Sequence, residues 1–289
     1  MRILITGANG RLGGQLVQQL QHQHTITGID LEATDSVLAV NITDKGAVDQ
    51  VFDHVQPEMV LHCAALTNVD YCAENPDAAL NSNAFGTQLI ALACQRHEAT
   101  LLYVSTNEVF DGSAKQPYLE YDRPQPANAY GYSKWVGEQV VRDLVAKHYI
   151  VRPSWLFAHG GHNFVQTILR LAAAGKSLRV VTNEIACPTY NNDLVTAIEQ
   201  LIATECYGIY HLVNEGATSR YAFARQVLDL AGDSDVALEP ISLAEYGRAS
   251  RPPEYGALRN MAAARLGITL RPWQEALTAF MAVEGLLVS

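Results

Sequence analysis

Cysteine is scarce and unpaired in this 289-residue chain: Cys63, Cys72, Cys94, Cys187 and Cys206 are odd in number and show no CxxC spacing. That excludes a disulfide framework and a thiolate zinc site as sources of stability. Charge is thin as well, at 17% of residues where about a quarter is usual. Positive charge is the scarcer sign, with 20 Lys+Arg against 30 Asp+Glu and a net charge of −10. A surface of that sign repels phosphate backbones, so nucleic acid is not an expected partner. A phosphorylated small ligand stays open, because helix N-termini and a few placed cations can hold one. No apolar run is long enough for a membrane span. The first ten residues enter a strand directly, without the pattern of a signal peptide, and a cytoplasmic location is the expectation. His22 and His24 read as a solvated loop, and no bound metal is expected.

What is present is an alternation. Apolar runs at 3–6, 25–30, 37–42, 59–64, 101–105 and 149–152 read as buried strands. Between them, residues 12–20, 44–54, 75–96 and 129–147 carry helical spacing, the third opened by Asn75-Pro76. Strands alternating with helices require crossovers, and so an α/β fold with a doubly wound parallel sheet of Rossmann type. Residues 111–128 hold three prolines and read as an irregular loop. Later helices are expected at 163–174, 192–203 and 221–231, and a strand at 208–213. Without a polar linker, the C-terminal part should pack on the first. Residues 1–155, with 187–216 returning to them, are expected to form the dinucleotide-binding domain. Residues 156–186 and 217–289 are expected to form a smaller α/β substrate domain.

The turn after the first strand is Gly7-Ala8-Asn9-Gly10-Arg11-Leu12-Gly13, with glycines at positions one, four and seven. The first allows the tight turn, the second lets the backbone approach a pyrophosphate, and the third lets helix and strand pack closely. Asp30, at the end of the second strand, can accept hydrogen bonds from both adenine-ribose hydroxyls, which favours NAD(H) and repels a 2′-phosphate; it can also simply cap the following turn. Arg11 reads as either a partner for a 2′-phosphate or a solvated charge. The balance is NAD(H) or NADP(H), leaning to NAD(H).

Tyr130 and Lys134 stand four residues apart, on one helical face. A free phenol titrates near 10, and a nearby ammonium favours its phenolate, bringing it towards use in acid–base chemistry. Tyr132 has Val136 at the matching spacing, so Tyr130 is the better candidate. Upstream, Val104-Ser105-Thr106 leaves a buried strand at the end where open parallel sheets bind ligands, and the Thr106 hydroxyl can hold a carbonyl oxygen that Tyr130 protonates. Nucleotide loop, strand-end hydroxyl and Tyr/Lys pair in that chain order are more specific than any one of them.

With these parts assembled, the chain resembles the extended short-chain dehydrogenase/reductases and, within them, the dTDP-4-dehydrorhamnose reductase family. The likeness runs nearly end to end. It includes Cys63-Ala64-Ala65, Val69-Asp70, Ser105-Thr106 with Val109-Phe110-Asp111-Gly112, Tyr130-Gly131 with Lys134, Trp155, Asn163-Phe164, Pro188-Thr189 and Arg251-Pro252. The resemblance implies reduction of a nucleotide-linked 4-keto-6-deoxy sugar, with Tyr130 as proton donor, Lys134 tuning it and binding the nicotinamide ribose, and Thr106 polarising the carbonyl. It implies that Asn9, Leu12, Asn41, Ile42, Cys63, Ala64, Ala65 and Thr67 join Gly7, Gly10, Arg11, Gly13 and Asp30 at the cofactor. It places Trp155, Asn163, Asn107 and Glu108 on the substrate side, although Trp155 reads equally well as core. A nucleotide sugar is then the partner, and a homodimer is compatible.

Two positions depart from that family's pattern: Asn107-Glu108 stand where Asp-Tyr is usual, and Tyr71 where a lysine is common. Ser105–Val109 is also similar to the Ser-Thr-Asp-Glu-Val of nucleotide-sugar dehydratases, but Asn107 cannot carry the proton that Asp carries there. Glu108 reads as a polar pocket or surface residue, with acid–base work the lesser alternative. An epimerase or dehydratase of the same superfamily, and a non-catalytic subunit resembling the regulatory subunit of methionine adenosyltransferase, are the competing readings.

Overall fold

Strands that are apolar on both faces are stable only between two layers of helices, and Met59–His62 and Thr100–Val104 are buried along their whole length. The computed structural model, which describes residues 1–161, 163–175 and 177–288, meets that demand with one seven-stranded sheet. Its order in space is Gly208–His211, His148–Arg152, Thr100–Val104, Met59–His62, Arg2–Thr6, Thr25–Asp30, Val37–Ala39, and every neighbouring pair is parallel. On one face, Leu12, Leu16 and Leu20 of helix Arg11–Leu20 and Leu194, Ile198 and Leu201 of helix Asn191–Ile202 cover the strands. The other face is covered by helices Lys45–Val55, Thr87–His97 and Ala129–Leu144, through Val48, Phe52, Ile90, Cys94 and Val141. The late strand Gly208–His211 forms one sheet edge, against His148–Arg152. A separate apolar cluster gathers Phe157, Val165, Leu178, Phe223, Val227, Trp273 and Phe280, around the parallel strand pair Leu178–Val181 and Leu238–Ile241.

The long helix expected at 75–96 is interrupted. Pro76–Leu80 and Thr87–His97 are α-helical, but Asn81–Gly86 is a π-helical segment. The wider turn sets Asn83, fully buried, against the loop at Leu66: its Oδ1 accepts from Leu66 N at 2.7 Å and its Nδ2 donates to Leu66 O at 3.0 Å. Asn83 Nδ2 also lies 2.9 Å from the Ser133 hydroxyl. Periodicity alone carries no sign of such a turn. The helix Val69–Glu74, capped by Asn68, is likewise absent from the sequence reading, and the third strand is shorter, ending at Ala39.

One buried ion pair ties these layers together. Arg152, at the end of its strand, is 1% exposed and presents its guanidinium fork to Glu138, with Nε–Oε1 at 2.8 Å and Nη2–Oε2 at 2.6 Å. Ser105 donates to the same Oε1 at 2.6 Å. Glu138→Ala leaves that guanidinium buried and unpaired, and should lower the unfolding free energy by about 3–5 kcal/mol. The double variant Glu138→Met/Arg152→Met should cost clearly less, as urea denaturation of both proteins at pH 7.5 would establish.

Candidate active site

The chain winds outward from Arg2–Thr6 to Thr25–Asp30 and Val37–Ala39, then returns to place Met59–His62 on the other side of the first strand. The crevice at the carboxyl ends of those two strands is a topological switch point, where open α/β sheets take ligands. Gly7 and Cys63 begin its two lips. Gly7 has φ +70°, and a Cβ there would lie 2.8 Å from Ala64 N. A Cβ on Gly13 would lie 2.2 Å from Gly7 O, so two of the three glycines are required by close approach. Helix Arg11–Leu20 then starts from Gly10 without a side-chain cap. Its first N–H groups are available to an anion, which fits a dinucleotide pyrophosphate.

The lips are aligned by a chain of buried hydrogen bonds. Ala64 N donates to Thr6 Oγ1 at 3.1 Å, and Thr6 Oγ1 lies 2.6 Å from His62 Nδ1. His62 Nε2 lies 3.0 Å from Thr87 Oγ1, which donates to Asn83 O at 2.7 Å. A backbone N–H can only donate and a carbonyl only accept, so the direction of the chain assigns the proton to Nε2 of a neutral imidazole. Burial, with the Lys134 charge second, holds His62 down to about 3.

The cavity above these lips measures about 1110 Å³. Of the residues assigned from the sequence to cofactor, substrate or catalysis, all but Asn163 line it. Asn163 instead caps helix Phe164–Ala173: its Oδ1 accepts from Gln166 N at 3.0 Å and its Nδ2 donates to Ala158 O at 2.8 Å. Its polar atoms are therefore spent on the backbone, and the structure places it outside the cavity lining. Asp30 caps the turn that follows its strand and also lines the cavity. Its oxygens accept from Asn9 N at 2.9 Å and Leu31 N at 2.7 Å. Arg11 lies beside Gly161, where a Cβ would sit 3.3 Å from the guanidinium.

Thr106, Tyr130 and Lys134 all line the cavity. Tyr130 and Lys134 enter from the first turns of helix Ala129–Leu144, which Asn128 caps by accepting from Gly131 N at 2.8 Å. Burial, followed by the charge of Glu108, pushes the Tyr130 phenol well above its ordinary value, while the Thr106 hydroxyl opposes that. The lowering expected from the Lys134 ammonium is thus not seen, because burial dominates, and the phenol is held protonated. Lys134 is 2% exposed, with its ammonium 4.2 Å from the centre of the Tyr103 ring. Burial holds it down to about 7. Tyr132 is exposed, against Trp135, and does not line the cavity.

Asn107 donates from Nδ2 to Gly256 O at 3.2 Å, which ties the Thr106 strand end to the C-terminal region. Trp155 has φ 40° and carries the Arg220 guanidinium 3.5 Å over its indole. Glu184, Arg220 and Arg248 were not legible from the sequence, whereas Asp70 belongs to the Val69-Asp70 stretch noted there. Arg220 pairs with Glu184 at 3.1 Å, and Arg248 with Asp70 through two bonds of 3.0 and 3.1 Å. Glu184, Arg220 and Arg248 line the cavity from chain positions that belong to no motif. Among the described residues, no group of three or more His, Cys, Asp or Glu is placed to hold a metal ion, and no helix is long and apolar enough to cross a membrane.

A lysine held down to about 7 in the fold and at 10.5 when unfolded costs stability fully below the folded value, and the cost fades as pH rises towards the unfolded one. Lys134→Met should therefore stabilise the ligand-free protein at pH 6.5, on the order of a few kcal/mol, and by much less at pH 9.5. Melting temperatures of the two proteins at both pH values check this.

The chain matches the RmlD substrate binding domain family over residues 1–285. It is 38% identical over 280 residues to the spore coat polysaccharide biosynthesis protein SpsK of Bacillus subtilis, covering 97% of this chain and 96% of that one. It is 36% identical over 288 residues to dTDP-4-dehydrorhamnose reductase of Mycobacterium tuberculosis, covering 97% and 92%. Among solved structures it is similar to dTDP-4-dehydrorhamnose reductase of Bacillus anthracis in complex with NADP. There the TM-score is 0.92 and the identity 38%, with 98% of this chain and 99% of the other covered. A nucleotide-binding switch point, a Thr/Tyr/Lys centre beside it and a likeness spanning almost the whole chain agree: this chain belongs to the RmlD substrate binding domain family, among the extended short-chain dehydrogenase/reductases.

Proposed function

We propose that the chain is an NAD(P)H-dependent reductase that converts the 4-keto group of a dTDP-linked 6-deoxy sugar, dTDP-4-dehydro-L-rhamnose, to the alcohol. The observation that carries this reading is the meeting of Thr106, Tyr130 and Lys134 in the cavity that the Gly7–Gly13 loop opens. The names of the relatives at more than a third identity support the choice of sugar.

A reduced nicotinamide cofactor, when bound in this cavity, would supply the hydride. The N–H groups at the start of helix Arg11–Leu20 would hold its pyrophosphate, and Asp30 its adenine ribose. Thr106 donates to the carbonyl oxygen and holds it against Tyr130. As the hydride reaches the carbonyl carbon, Tyr130 gives its phenolic proton to the oxygen, so ketone, hydride and proton together make the alcohol. The phenolate left behind faces the Lys134 ammonium, one helical turn away, which stabilises it until a proton from solvent restores the phenol. Elimination of water is disfavoured, because Asn107 carries no ionisable proton and its amide is bound to Gly256.

For the cofactor, we favour NAD(H). The Asp30 carboxylate meets a 2′-phosphate as like charge, and its two oxygens are held in place by backbone N–H groups. The relative from Bacillus anthracis was solved with NADP, so Asp30→Ala should move kcat/KM towards NADPH, as initial rates with both reductants would show. With dTDP-6-deoxy-L-lyxo-4-hexulose as substrate, loss of reduced-nicotinamide absorbance should fall by about 10²–10⁴-fold in Tyr130→Phe, with nicotinamide affinity retained. No turnover by folded wild-type protein that binds nicotinamide would overturn the reaction.

A further inference from the structure

The guanidiniums at the substrate end of the cavity are already paired, Arg220 with Glu184 and Arg248 with Asp70. Glu108 differs from them. It stands two residues beyond Thr106, lines the same cavity, and takes a hydrogen bond of 2.7 Å on Oε2 from Asn128 Nδ2. Among the described residues, no hydrogen-bond donor reaches Oε1. Nor is Glu108 sealed inside protein, because it is only partly buried and lines the cavity.

This carboxyl group is held rigidly. Asn128 caps the helix that carries Tyr130 through its Oδ1, which commits its Nδ2 to Glu108 and to Arg251 O at 3.2 Å. The Glu108 carbonyl packs so closely on that helix that a Cβ on Gly131 would lie 2.0 Å from it. Glu108 N in turn donates to Thr106 Oγ1 at 3.2 Å. An acceptor oxygen is thus fixed in register with both Thr106 and Tyr130, and opens into the space beside them.

We infer that Glu108 is a specificity-determining residue whose Oε1 accepts a hydrogen bond from a hydroxyl of the sugar ring held at Tyr130. The inference rests on the reading of the substrate given above and deepens it: the preferred ligand is a nucleotide-linked sugar with a free hydroxyl on that edge, not one deoxygenated or alkylated there. The groups facing Glu108 are Asn128, Glu184, Arg248, Arg220, Tyr130 and Cys72. Burial first, with the Glu184 charge adding to it, keeps the carboxyl up at about 7 against Asn128 and the two guanidiniums. A hydroxyl donor favours the carboxylate, so the sugar's share of the affinity rises as pH increases through that value.

The experiment is calorimetric titration of the full chain, without reductant, with dTDP-L-rhamnose and with dTDP at pH 6, 7 and 8. The wild-type preference for the sugar nucleotide over dTDP should grow about tenfold across this range, the worth of a charge-assisted hydrogen bond. In Glu108→Gln, Asn128 keeps the amide oxygen and the amide NH2 turns to the cavity, replacing an acceptor by a donor. That preference should then be about tenfold lower at pH 8 and flat with pH, with dTDP and nicotinamide affinities unchanged as evidence of an intact fold. An equal preference in variant and wild type at pH 8 overturns the inference while leaving the reductase reading in place. Wild-type protein that binds neither nucleotide overturns the substrate reading and the inference with it.

Discussion

The constraint on which the structure turns is the buried guanidinium of Arg152. Taking two opposite charges out of water gains little net stability, but it imposes geometry, because each charge becomes costly once the other moves away. The fork of Arg152 fixes Glu138 on the helix that carries Tyr130 and Lys134, and Glu138 fixes the hydroxyl of Ser105, the residue before Thr106. Arg152 Nη1 also reaches Glu120 O at 3.4 Å. The Glu120 carboxylate accepts from His211 N and Ala262 N, which brings the late edge strand and the C-terminal region to the same point. The relative placement of Thr106, Tyr130 and Lys134 therefore follows from one ion pair 1% exposed on either side.

At the cofactor end, close backbone approach does the equivalent work. Gly7 and Gly13 leave no room for a Cβ, and the polar chain from Ala64 through Thr6, His62 and Thr87 to Asn83 joins the two lips to the π-helical turn. A neutral imidazole suits that place, because the Lys134 charge nearby already disfavours a second cation. The same turn sends Asn83 to Ser133, whose hydroxyl donates to Tyr130 O at 2.8 Å. The crevice at the switch point and the helix that carries Tyr130 and Lys134 thus share a polar frame.

Much of this was legible before the structure. The apolar runs announce buried strands, the glycine spacing announces the switch point, and Tyr130 with Lys134 announces a helix that opens onto the cavity. These signals are local: a strand needs a run, a turn needs a glycine, and a helical face needs a spacing of four. Helix Pro76–His97 shows the limit, since the extra residue of its π turn serves Asn83 and leaves the hydrophobic period almost unchanged. Asn163 shows another: the same Asn-Phe pair reads as a pocket motif or as a cap, and only the position of Ala158 O decides. Glu184, Arg220 and Arg248 carry no local signal, because their meaning lies in pairs across the cavity.

That division has a physical origin. A pyrophosphate is recognised by backbone N–H groups, so its site is written in glycines at one turn. A sugar is recognised by single donors and acceptors at its edges, which arrive one side chain at a time from distant segments. In this fold Arg220 begins the helix Arg220–Leu230, whose Phe223 and Val227 belong to the separate apolar cluster. Trp155 joins that region to the sheet with a left-handed backbone, φ 40°, which a bulky residue adopts only where its surroundings compel it. The Arg220 guanidinium stacked on its indole, itself held by Glu184, supplies part of that compulsion. The substrate wall therefore rests on a core of its own, and its side chains can differ between related enzymes while Arg152, Glu138 and the glycine turn hold the reacting groups where they are.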